Sequence, residues 1–428
     1  MKKAVMLLLI TALVAGSLFA NGKQDAASDE TVVLKVMGYG DNSNQEGVSW
    51  KRIVENFMAE NPNIVIEDEL LYDEAYHQKV TARLASGDVP DVAYMGADAR
   101  WGAPWMEAKQ QYDMTDLIDP DYYDMDLIPK MGPNGERYYI PLGTSNMTTV
   151  LFMNKNLVES LGFSRPETYE DIVAMVPAAK AAGLEVVTID GADGWAWNSC
   201  LISVLIARTS GDPAWASKAV SGEKSFTDEE FVNALALIER MVEDEVISKK
   251  SVLVDYGTNT STFNNEKALF MVQGQWVAGA IENPAVKDDM VLMPWPKFPG
   301  EKAAMNDSVA AAWSVGYGIT KETAKDPKKV AAAVEFIKYF YNEAEVEQRL
   351  RDGAIVAPVL KDYVAPSDLP NAVVQKVLLA QSSVESEVVD AVLTGDPNDA
   401  LNAGMQKIAS GLATPEEVAA EVEALLRK

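Results

Sequence analysis

Residues 84–95 read LASGDVPDVAYM, and this stretch marks the passage from a helix to a buried strand. The helical pattern that starts at Glu74 ends at Ser86-Gly87, because a glycine after the last periodic residue is a common helix stop. Val89-Pro90-Asp91 then leads into a short apolar run from Val92 to Met95. A run of this length between turn residues predicts a strand that is buried on both faces.

The sequence upstream shows the same alternation of strand and helix. Val32 to Met37 is a short apolar run that predicts a strand, and a glycine-containing loop, residues 38–42, ends it. Ile53 and Phe57 then recur at helical spacing, and Ile64 to Leu70 predicts the second strand. Because parallel strands need a crossover connection and a helix is the usual one, this β-α-β-α-β order predicts an α/β fold.

The middle and the end of the chain continue in the same way. Strands are predicted from Thr149 to Met153 and from Glu185 to Ile189, with a helix from Thr168 to Ala182 between them. Two further helices are preceded by the sequence of a capping box, in which a threonine and an acidic residue three positions later satisfy amide groups at the helix start. These sequences are Thr227-Asp228-Glu229-Glu230 and Thr414-Pro415-Glu416-Glu417.

Composition limits the kinds of function that the chain can have. Its 428 residues exceed what one hydrophobic core usually organises, so two domains are expected. Cys200 and His77 are the only cysteine and histidine, which excludes an intrachain disulfide and a histidine-rich zinc site. The formal charge of −27 disfavours nucleic acid as a partner and, through its long-range potential, favours a neutral or cationic ligand over an anionic one.

The N-terminus has the pattern of a secretory signal. Lys2 and Lys3 precede an unbroken apolar run from Ala4 to Ala15. Cleavage is expected after Ala20, which makes residues 1–20 the signal peptide, and a cut after Ser17 stays open. Ser17 also stands where a lipoprotein signal would carry its lipid-bearing cysteine, so a cysteine-bound anchor is not expected.

Residues 21–31 are polar and predict a flexible leader. No later stretch approaches the ~20 consecutive apolar residues that a spanning helix needs. Together with the secretory signal, this predicts a soluble, periplasmic protein.

Several short motifs then occur in a fixed order along the chain. They are Asn61-Pro62-Asn63-Ile64, the stretch from Leu84 to Val92, Ile140-Pro141-Leu142 before an apolar strand that ends in Asn154-Lys155, Gly274-Gln275-Trp276, Gly316-Tyr317-Gly318-Ile319 and Gly353-Ala354-Ile355. In this order, and behind an export signal, they resemble the family 1 extracellular solute-binding proteins, the sugar-binding components of ABC importers. In plan the chain is similar to the maltose-binding branch of that family.

The resemblance implies a hinged, two-lobe periplasmic-binding-protein fold of type II, with the ligand cleft between the lobes. The first lobe is expected to hold residues 31–142 and 305–350, and the second to hold residues 148–300 and 355–428. The chain is expected to cross the hinge near residues 141–148, 294–307 and 351–358.

Loops that follow strands hold the first group of candidate ligand-binding residues, because ligands of open α/β sheets lie at the carboxyl ends of the strands. Tyr39, Asp41 and Asn44 follow the first strand, and Asp98 and Arg100 follow the third. The resemblance implies that an acidic residue and an arginine in this latter loop hold sugar hydroxyls, and Asp98 with Arg100 is the matching pair.

The second group comes from the other lobe and from the hinge. By the resemblance, Trp276 occupies the position at which relatives stack an aromatic ring on the sugar. Trp195 and Trp197 stand at alternating positions of a loop, so one is expected to face the cleft while the other packs inward. The other candidates lie near the predicted hinge and serve either the ligand or the backbone: Asn146, Asp307 and Arg351.

The sequence therefore predicts a monomeric binding protein without a cofactor, a metal or catalytic residues. It is expected to capture a small neutral sugar or oligosaccharide and to deliver it to the membrane permease of an ABC importer. Two alternatives stay open. A secreted glycoside hydrolase also uses carboxylates and tryptophans, and a protein of the same fold that binds a polyamine or a peptide also combines aromatic rings with carboxylates.

Overall fold

A computed structural model describes the chain over residues 31–41 and 45–428. The predicted signal peptide, nearly all of the predicted leader and Asn44 lie outside the described residues. In chain order, the strands are β1 (Val32–Tyr39), β2 (Ile64–Leu71), β3 (Val92–Met95), β4 (Ile140–Pro141), β5 (Asn146–Met147), β6 (Val150–Met153), β7 (Glu185–Thr188), β8 (Ala268–Gln273), β9 (Val291–Met293), β10 (Val309–Ala312), β11 (Gly316–Ile319) and β12 (Glu385–Ser386).

The helices are α1 (Gln45–Glu60), α2 (Asp73–Ser86), α3 (Ala103–Glu107), α4 (Lys155–Ser160), α5 (Tyr169–Ala182), α6 (Trp195–Trp197), α7 (Ser203–Ser210), α8 (Trp215–Ser221), α9 (Glu229–Glu243), α10 (Tyr256–Asn264), α11 (Pro284–Lys287), α12 (Pro327–Phe340), α13 (Glu343–Arg351), α14 (Asn371–Ser382), α15 (Asp396–Ser410) and α16 (Pro415–Leu426). A π-helical turn, Asn198–Ile202, joins α6 to α7. Over the described ranges, none of these helices combines the length and the apolar character that a bilayer span requires.

The first sheet has the strand order β2-β1-β3-β11-β4. Strands β2 and β3 both run parallel to β1, so the predicted β-α-β-α-β arrangement is confirmed. Strand β11 comes from much later in the chain and lies antiparallel between β3 and β4. The carboxyl ends of β1 and β3 are therefore neighbours, and the loops that follow them meet at one edge of the sheet.

The second sheet has the strand order β7-β8-β6-β9. Strand β7 is parallel to β8, and β6 is antiparallel to both β8 and β9. Every residue of the central strands β6 and β8 is buried. Because both faces of these strands are covered, their sequences are largely apolar runs. The predicted strands at residues 149–153 and 185–189 are confirmed as β6 and β7.

Each sheet carries its own hydrophobic core, and the two cores define the two lobes. The first core packs β1, β3 and β11 against α1 and α12, with Trp50, Phe57 and Phe336 at its centre. The second packs one face of the second sheet against α7, α9 and the C-terminal helices, with Trp215 and Phe231 stacked 5.3 Å apart. A smaller cluster covers the other face of the second sheet.

A short three-stranded sheet, β12-β10-β5, lies where the chain passes between the lobes. Strand β10 pairs with β5 in antiparallel and with β12 in parallel orientation. The Ala310 amide donates to the Thr149 hydroxyl at 2.7 Å, which holds β10 against the start of β6. This small sheet lies next to two of the predicted hinge crossings, those near residues 141–148 and 294–307.

The segment after α13 contacts both cores. Ile355, Val359 and Leu360 pack in the first core, whereas Val356 packs in the smaller cluster on the second sheet. The Asp124 amide donates to the Val359 carbonyl at 2.9 Å. The predicted lobe boundaries, including the one at residue 355, stay predictions.

Of the two predicted capping boxes, the one at Thr414 is confirmed, because Thr414 and Glu417 form the reciprocal arrangement at the start of α16. The helix predicted from Thr168 to Ala182 is confirmed as α5, which ends at Gly183 in a left-handed conformation. Its start also carries a capping box that was not predicted, between the Thr168 hydroxyl and the Asp171 carboxylate.

The capping box predicted at Thr227 is wrong. Helix α9 begins one residue later, with Asp228 at the N-cap and without a side-chain cap. The groups that would form the box are used elsewhere: the Thr227 hydroxyl lies 2.7 Å from Ser225 Oγ, and the Glu230 carboxylate pairs with Lys224 at 3.1 Å. The turn before the helix thus competes for the capping groups.

These two threonines allow a matched test of the cap. Thr414→Ala should lower the free energy of unfolding by about 1 kcal/mol, because it removes the hydroxyl oxygen that accepts a hydrogen bond from the Glu417 amide. Thr227→Ala alters the same sequence motif where no box forms, and it should change that free energy by less than about 0.5 kcal/mol. Urea denaturation of both variants measures the difference, and equal losses would contradict the assignment.

Asp190 is a fully buried carboxyl at the end of β7. Its Oδ1 accepts hydrogen bonds from Asn259 Nδ2 and Gln273 Nε2, each at 2.9 Å. Its Oδ2 has no hydrogen-bond partner in the described part of the chain. Burial raises the pKa of Asp190 to about 7, so this group takes up a proton in mildly acidic solution.

The folded-state pKa of Asp190 lies above its ordinary value of 3.8, so its stability contribution is full below pH ~4 and is lost as the pH rises to ~7. Asp190→Asn should remove this loss and make the protein more stable than wild type at pH 8, by up to about 4 kcal/mol. Denaturation midpoints at pH 4 and pH 8 measure the effect. Asp121→Asn, where the side chain is 97% exposed, is the control. An unchanged pH dependence in the Asp190 variant would refute the prediction.

Candidate ligand-binding site

A cavity of about 170 Å³ lies between the lobes, at the carboxyl ends of the first sheet. Its walls come from loops after β1 and β3, from β5, from the segment after β8 and from residues 388–391. Aromatic rings form much of the lining, and charged groups stand among them. The cavity is thus shaped for a ligand with both flat apolar faces and polar edges.

The first lobe supplies a wall of packed aromatic rings. The ring of Tyr39 stacks on Tyr94 with centroids 4.8 Å apart and planes 5° from parallel, and Trp101 meets it edge-on at 5.2 Å. The Tyr39 amide donates to the Tyr317 hydroxyl at 3.2 Å, which ties the end of β1 to β11. These contacts hold the tyrosine in place before any ligand binds.

The second lobe supplies two indoles. Trp276 and Trp195 lie with ring centroids 6.2 Å apart and planes tilted by 45°. A Cβ atom on Gly274 would lie 2.1 Å from the Trp276 ring, so the glycine is what allows the indole to rest against the backbone. The Trp195 Nε1–H group is buried and has no partner among the described residues. It is therefore a donor available to a ligand.

Arg100 and Asp390 join the two lobes across the cleft. Their charged atoms lie 3.7 Å apart, and the Asp390 carboxylate also accepts a hydrogen bond from Ser199 Oγ at 2.5 Å. One residue away, the Ala99 amide donates to the Ala391 carbonyl at 2.8 Å. The lobes are thus in contact on this side of the cavity.

Arg100 makes two further contacts within the first lobe. It pairs with Glu74 at 3.7 Å, and its Nε donates to Nε2 of His77 at 3.1 Å. Burial and this arginine lower the pKa of His77 to about 3, so the imidazole is neutral. Asp98, which with Arg100 is expected to hold sugar hydroxyls, accepts a hydrogen bond from the Trp101 amide at 2.8 Å, and burial raises the pKa of Asp98 to about 7.

Two further ionisable groups, Glu46 in the lining and Lys376 behind it, act on each other electrostatically. Lys376 is fully buried on α14, and its Nζ donates to Gln275 Oε1 at 2.7 Å and to the Gly353 carbonyl. Burial lowers the pKa of Lys376 to about 7, and the carboxylate of Glu46 opposes this effect. Burial raises the pKa of Glu46. The charge of each residue therefore favours the ionised form of the other.

The structure brings together some of the candidate residues and separates others. The cavity lining includes Tyr39, Asp98, Arg100, Asn146, Trp195 and Trp276. Trp197 does not reach it, because its ring lies in the second core and its Nε1 donates to the Gly191 carbonyl at 3.2 Å. Of the two alternating tryptophans, only Trp195 faces the cleft.

Three other candidates lie away from the lining. Asp41 follows β1, but its backbone packs closely against Gly47 of α1. Asp307 is exposed in the hinge crossing with a φ of 56°. Arg351 forms ion pairs with Glu347 and Asp368 at the end of α13. Asn44 lies outside the described residues.

The cavity also contains polar residues that the sequence did not single out: Glu46, Gln275, Arg349 and Asp390, with Lys376 directly behind Gln275. For two of these residues, Lys376 and Asp390, the sequence pattern indicates a buried polar group. Lys376 shares a helical face with Val373 and Leu379, and Asp390 interrupts the apolar run from Val388 to Leu393. A charge within an apolar pattern indicates a buried polar site. Arg349 stands in a highly charged helix, where nothing in the sequence distinguishes it.

Comparison with known proteins agrees with this geometry. The sequence model of the bacterial extracellular solute-binding protein family matches residues 40–347. The chain is 25% identical, over 341 residues, to the multiple sugar-binding protein of Streptococcus mutans, covering 79% of this chain and 78% of that protein.

Two solved structures show the same fold. A chitin oligosaccharide binding protein superposes with a TM-score of 0.80 and 21% identity, covering 93% of this chain and 98% of that chain. A protein from a study of xylan utilization by Caldanaerobius polysaccharolyticus superposes with a TM-score of 0.79 and 18% identity, covering 92% and 100% of the two chains. The predicted two-lobe, hinged type II fold is confirmed, and the chain belongs to the bacterial extracellular solute-binding protein family that its motifs resemble.

Proposed function

We propose that this protein captures a sugar or oligosaccharide between its lobes and delivers it to the membrane permease of an ABC importer. The observation that carries the proposal is the cavity itself, which sets tyrosine rings on one lobe against tryptophan rings on the other. Sugars have apolar C–H faces that pack on aromatic rings and hydroxyl rims that need hydrogen-bond partners. Both kinds of group are present here.

The polar groups of the cavity suit hydroxyls. Asn146 Oδ1 and Gln275 Nε2 lie 3.4 Å apart, so the two amides offer donors and acceptors side by side. The Trp195 Nε1–H group has no partner in residues 31–41 and 45–428 and is a donor that a hydroxyl could use. Asp98, with its pKa raised to about 7 by burial, both donates and accepts near neutral pH. A hydroxyl needs both kinds of partner.

The size of the cavity indicates how much sugar the closed lobes hold. One water needs ~10–15 Å³ of such space, so a cavity of about 170 Å³ holds roughly a dozen water-sized groups, the scale of one sugar ring. A second cavity of about 370 Å³ shares Arg100, Trp101, Trp195 and Asp390 with it. Further sugar units would occupy this neighbouring space, which favours an oligosaccharide.

Binding would work by lobe closure. The ligand would rest on one lobe in an open form, and contacts such as Arg100–Asp390 would then stabilise the closed form. Export by residues 1–20, a periplasmic location without a cysteine-bound anchor, a monomeric state and delivery to a permease are part of the proposal. Family membership and the N-terminal pattern support them. The protein would bind its ligand unchanged.

Trp276→Ala should weaken sugar binding by roughly ten- to a hundredfold, because it removes the ring that packs on the sugar face. Gly274→Ala should weaken binding in the same direction, since its Cβ would displace that ring. The control is Trp313→Ala, which removes a ring that is 45% exposed and does not line the cavity. Calorimetric titration measures all three, and unchanged affinity in the Trp276 variant would remove this residue from the site.

The ligand class has its own test. A thermal-shift screen of mono- and oligosaccharides against polyamines and short peptides should show stabilisation by sugars only. Incubation with the oligosaccharides should leave them intact, as chromatography would show. A response to polyamines or peptides alone, or cleavage of an oligosaccharide, would refute the proposal.

A further inference from the structure

Arg349 on α13 is a buried guanidinium that lines the cavity. The residue is 4% exposed. Its Nε, NH1 and NH2 atoms are all buried without a hydrogen-bond partner in residues 31–41 and 45–428. An arginine has five N–H donors in a rigid fork, and leaving all of them unpaired inside a protein is costly.

Aromatic rings keep this guanidinium in place without using its donors. Its carbon atom lies 4.3 Å from the centroid of the Phe340 ring and 5.5 Å from that of Tyr341. A ring attracts a cation through the negative potential of its face, which leaves the N–H groups free. The cation is therefore held at the cavity wall while its hydrogen bonds remain to be made.

Arg100, the other arginine in the lining, shows what a balanced site looks like. It has carboxylates at 3.7 Å from two residues, Glu74 and Asp390. Arg349 has no carboxylate within 4.0 Å among the described residues. Its helix carries three glutamates, of which Glu345 pairs with Arg52 at 2.6 Å and Glu347 pairs with Arg351 at 2.8 Å. The charge of Glu345 acts on Arg349 only from beyond contact distance. A buried guanidinium without a carboxylate in contact is stabilised by an anion that binds to it.

We infer that the sugar accepted by this cavity carries a carboxylate, as a uronic acid does, and that Arg349 binds this carboxylate through its free N–H groups. A planar carboxylate matches the guanidinium fork and forms two parallel hydrogen bonds with it. This inference rests on the proposed function and narrows its ligand class.

The other charges of the cavity are consistent with an anionic ligand. Glu46 is opposed by Lys376, and Asp390 by Arg100. Burial raises the pKa of Asp98 to about 7, so this carboxyl is able to hold a proton beside an anion. Among these charged groups, Arg349 is then the one without an opposite charge in contact among the described residues. The net charge of −27 acts against anions at long range, but salt screens exposed charges beyond ~8 Å, and the contact with Arg349 is direct.

Calorimetric titration of the purified protein with glucuronic and galacturonic acid, and with glucose and galactose, tests the inference. At least one uronic acid should bind roughly tenfold or more tightly than its neutral counterpart, the gain expected for hydrogen bonds between charged groups. Arg349→Met should abolish this preference while binding of the neutral sugar persists. Arg349→Lys keeps the positive charge but lacks the planar guanidinium, so it should reduce the preference for the uronic acid. This variant provides the test if the methionine variant does not fold.

Arg240→Met is the matched control, because this arginine also lies over an aromatic ring, Tyr169 at 4.9 Å, but belongs to the second lobe and does not line the cavity. It should keep the uronic acid preference. Neutral sugars that bind as tightly as the uronic acids would overturn the inference and leave the proposed function standing. Arg349 variants with an unchanged preference would overturn it as well. A wild-type protein that binds neither these four monosaccharides nor any sugar or oligosaccharide of the thermal-shift screen would overturn both.

Discussion

Arg208 holds together both ends of the segment, residues 295–308, that joins the second sheet to β10. This arginine is fully buried, and its N–H groups donate to the carbonyls of Trp295 at 2.8 Å and Ser308 at 3.0 Å. Glu301, at 3.4 Å, balances its charge. Buried carbonyls need donors, and here one side chain serves both ends of the crossing. The crossing leads directly into β10, whose last residue, Ala312, lines the cavity.

Three arginines, of which Arg208 and Arg349 are buried and Arg100 is partly exposed, differ in the groups that surround their charge. Arg208 donates to backbone carbonyls at both ends of the crossing, Arg100 pairs with a carboxylate of the opposite lobe, and the N–H groups of Arg349 have no partner among the described residues. Because Arg208 and Arg349 are both buried, the difference between these two lies in the groups that pair with the guanidinium. For Arg349, the inferred partner is the carboxylate of the ligand.

The sequence predicted most of what local pattern determines and little of what distant segments determine together. Apolar runs and their turn residues identified β1, β3 and β6, because a strand that is buried on both faces has apolar side chains at consecutive positions. Alternation placed one of Trp195 and Trp197 inward but did not say which, since that depends on the core around Trp197. The Thr227 motif failed because Ser225 and Lys224 compete for its groups.

The polar residues of the site were harder to predict for the same reason. Asp390 meets Arg100 only because residues far apart in the chain face each other across the cleft. Arg349 is distinguished by its surroundings, Phe340 and the cavity, and by no feature of its own helix. Trp276 was predicted from the family resemblance of the motif Gly274-Gln275-Trp276, and the structure adds that Gly274 leaves room for its ring.

The unpaired donors would also couple ligand binding to the proposed closure of the lobes. In the described part of the chain, the Trp195 Nε1–H group and the N–H groups of Arg349 are buried without partners, and unpaired buried donors carry a free-energy cost. A ligand that pairs with these groups would remove this cost from the arrangement in which both lobes contact it. Under the proposed function, the atoms that bind the ligand would therefore also favour the closed arrangement in its presence.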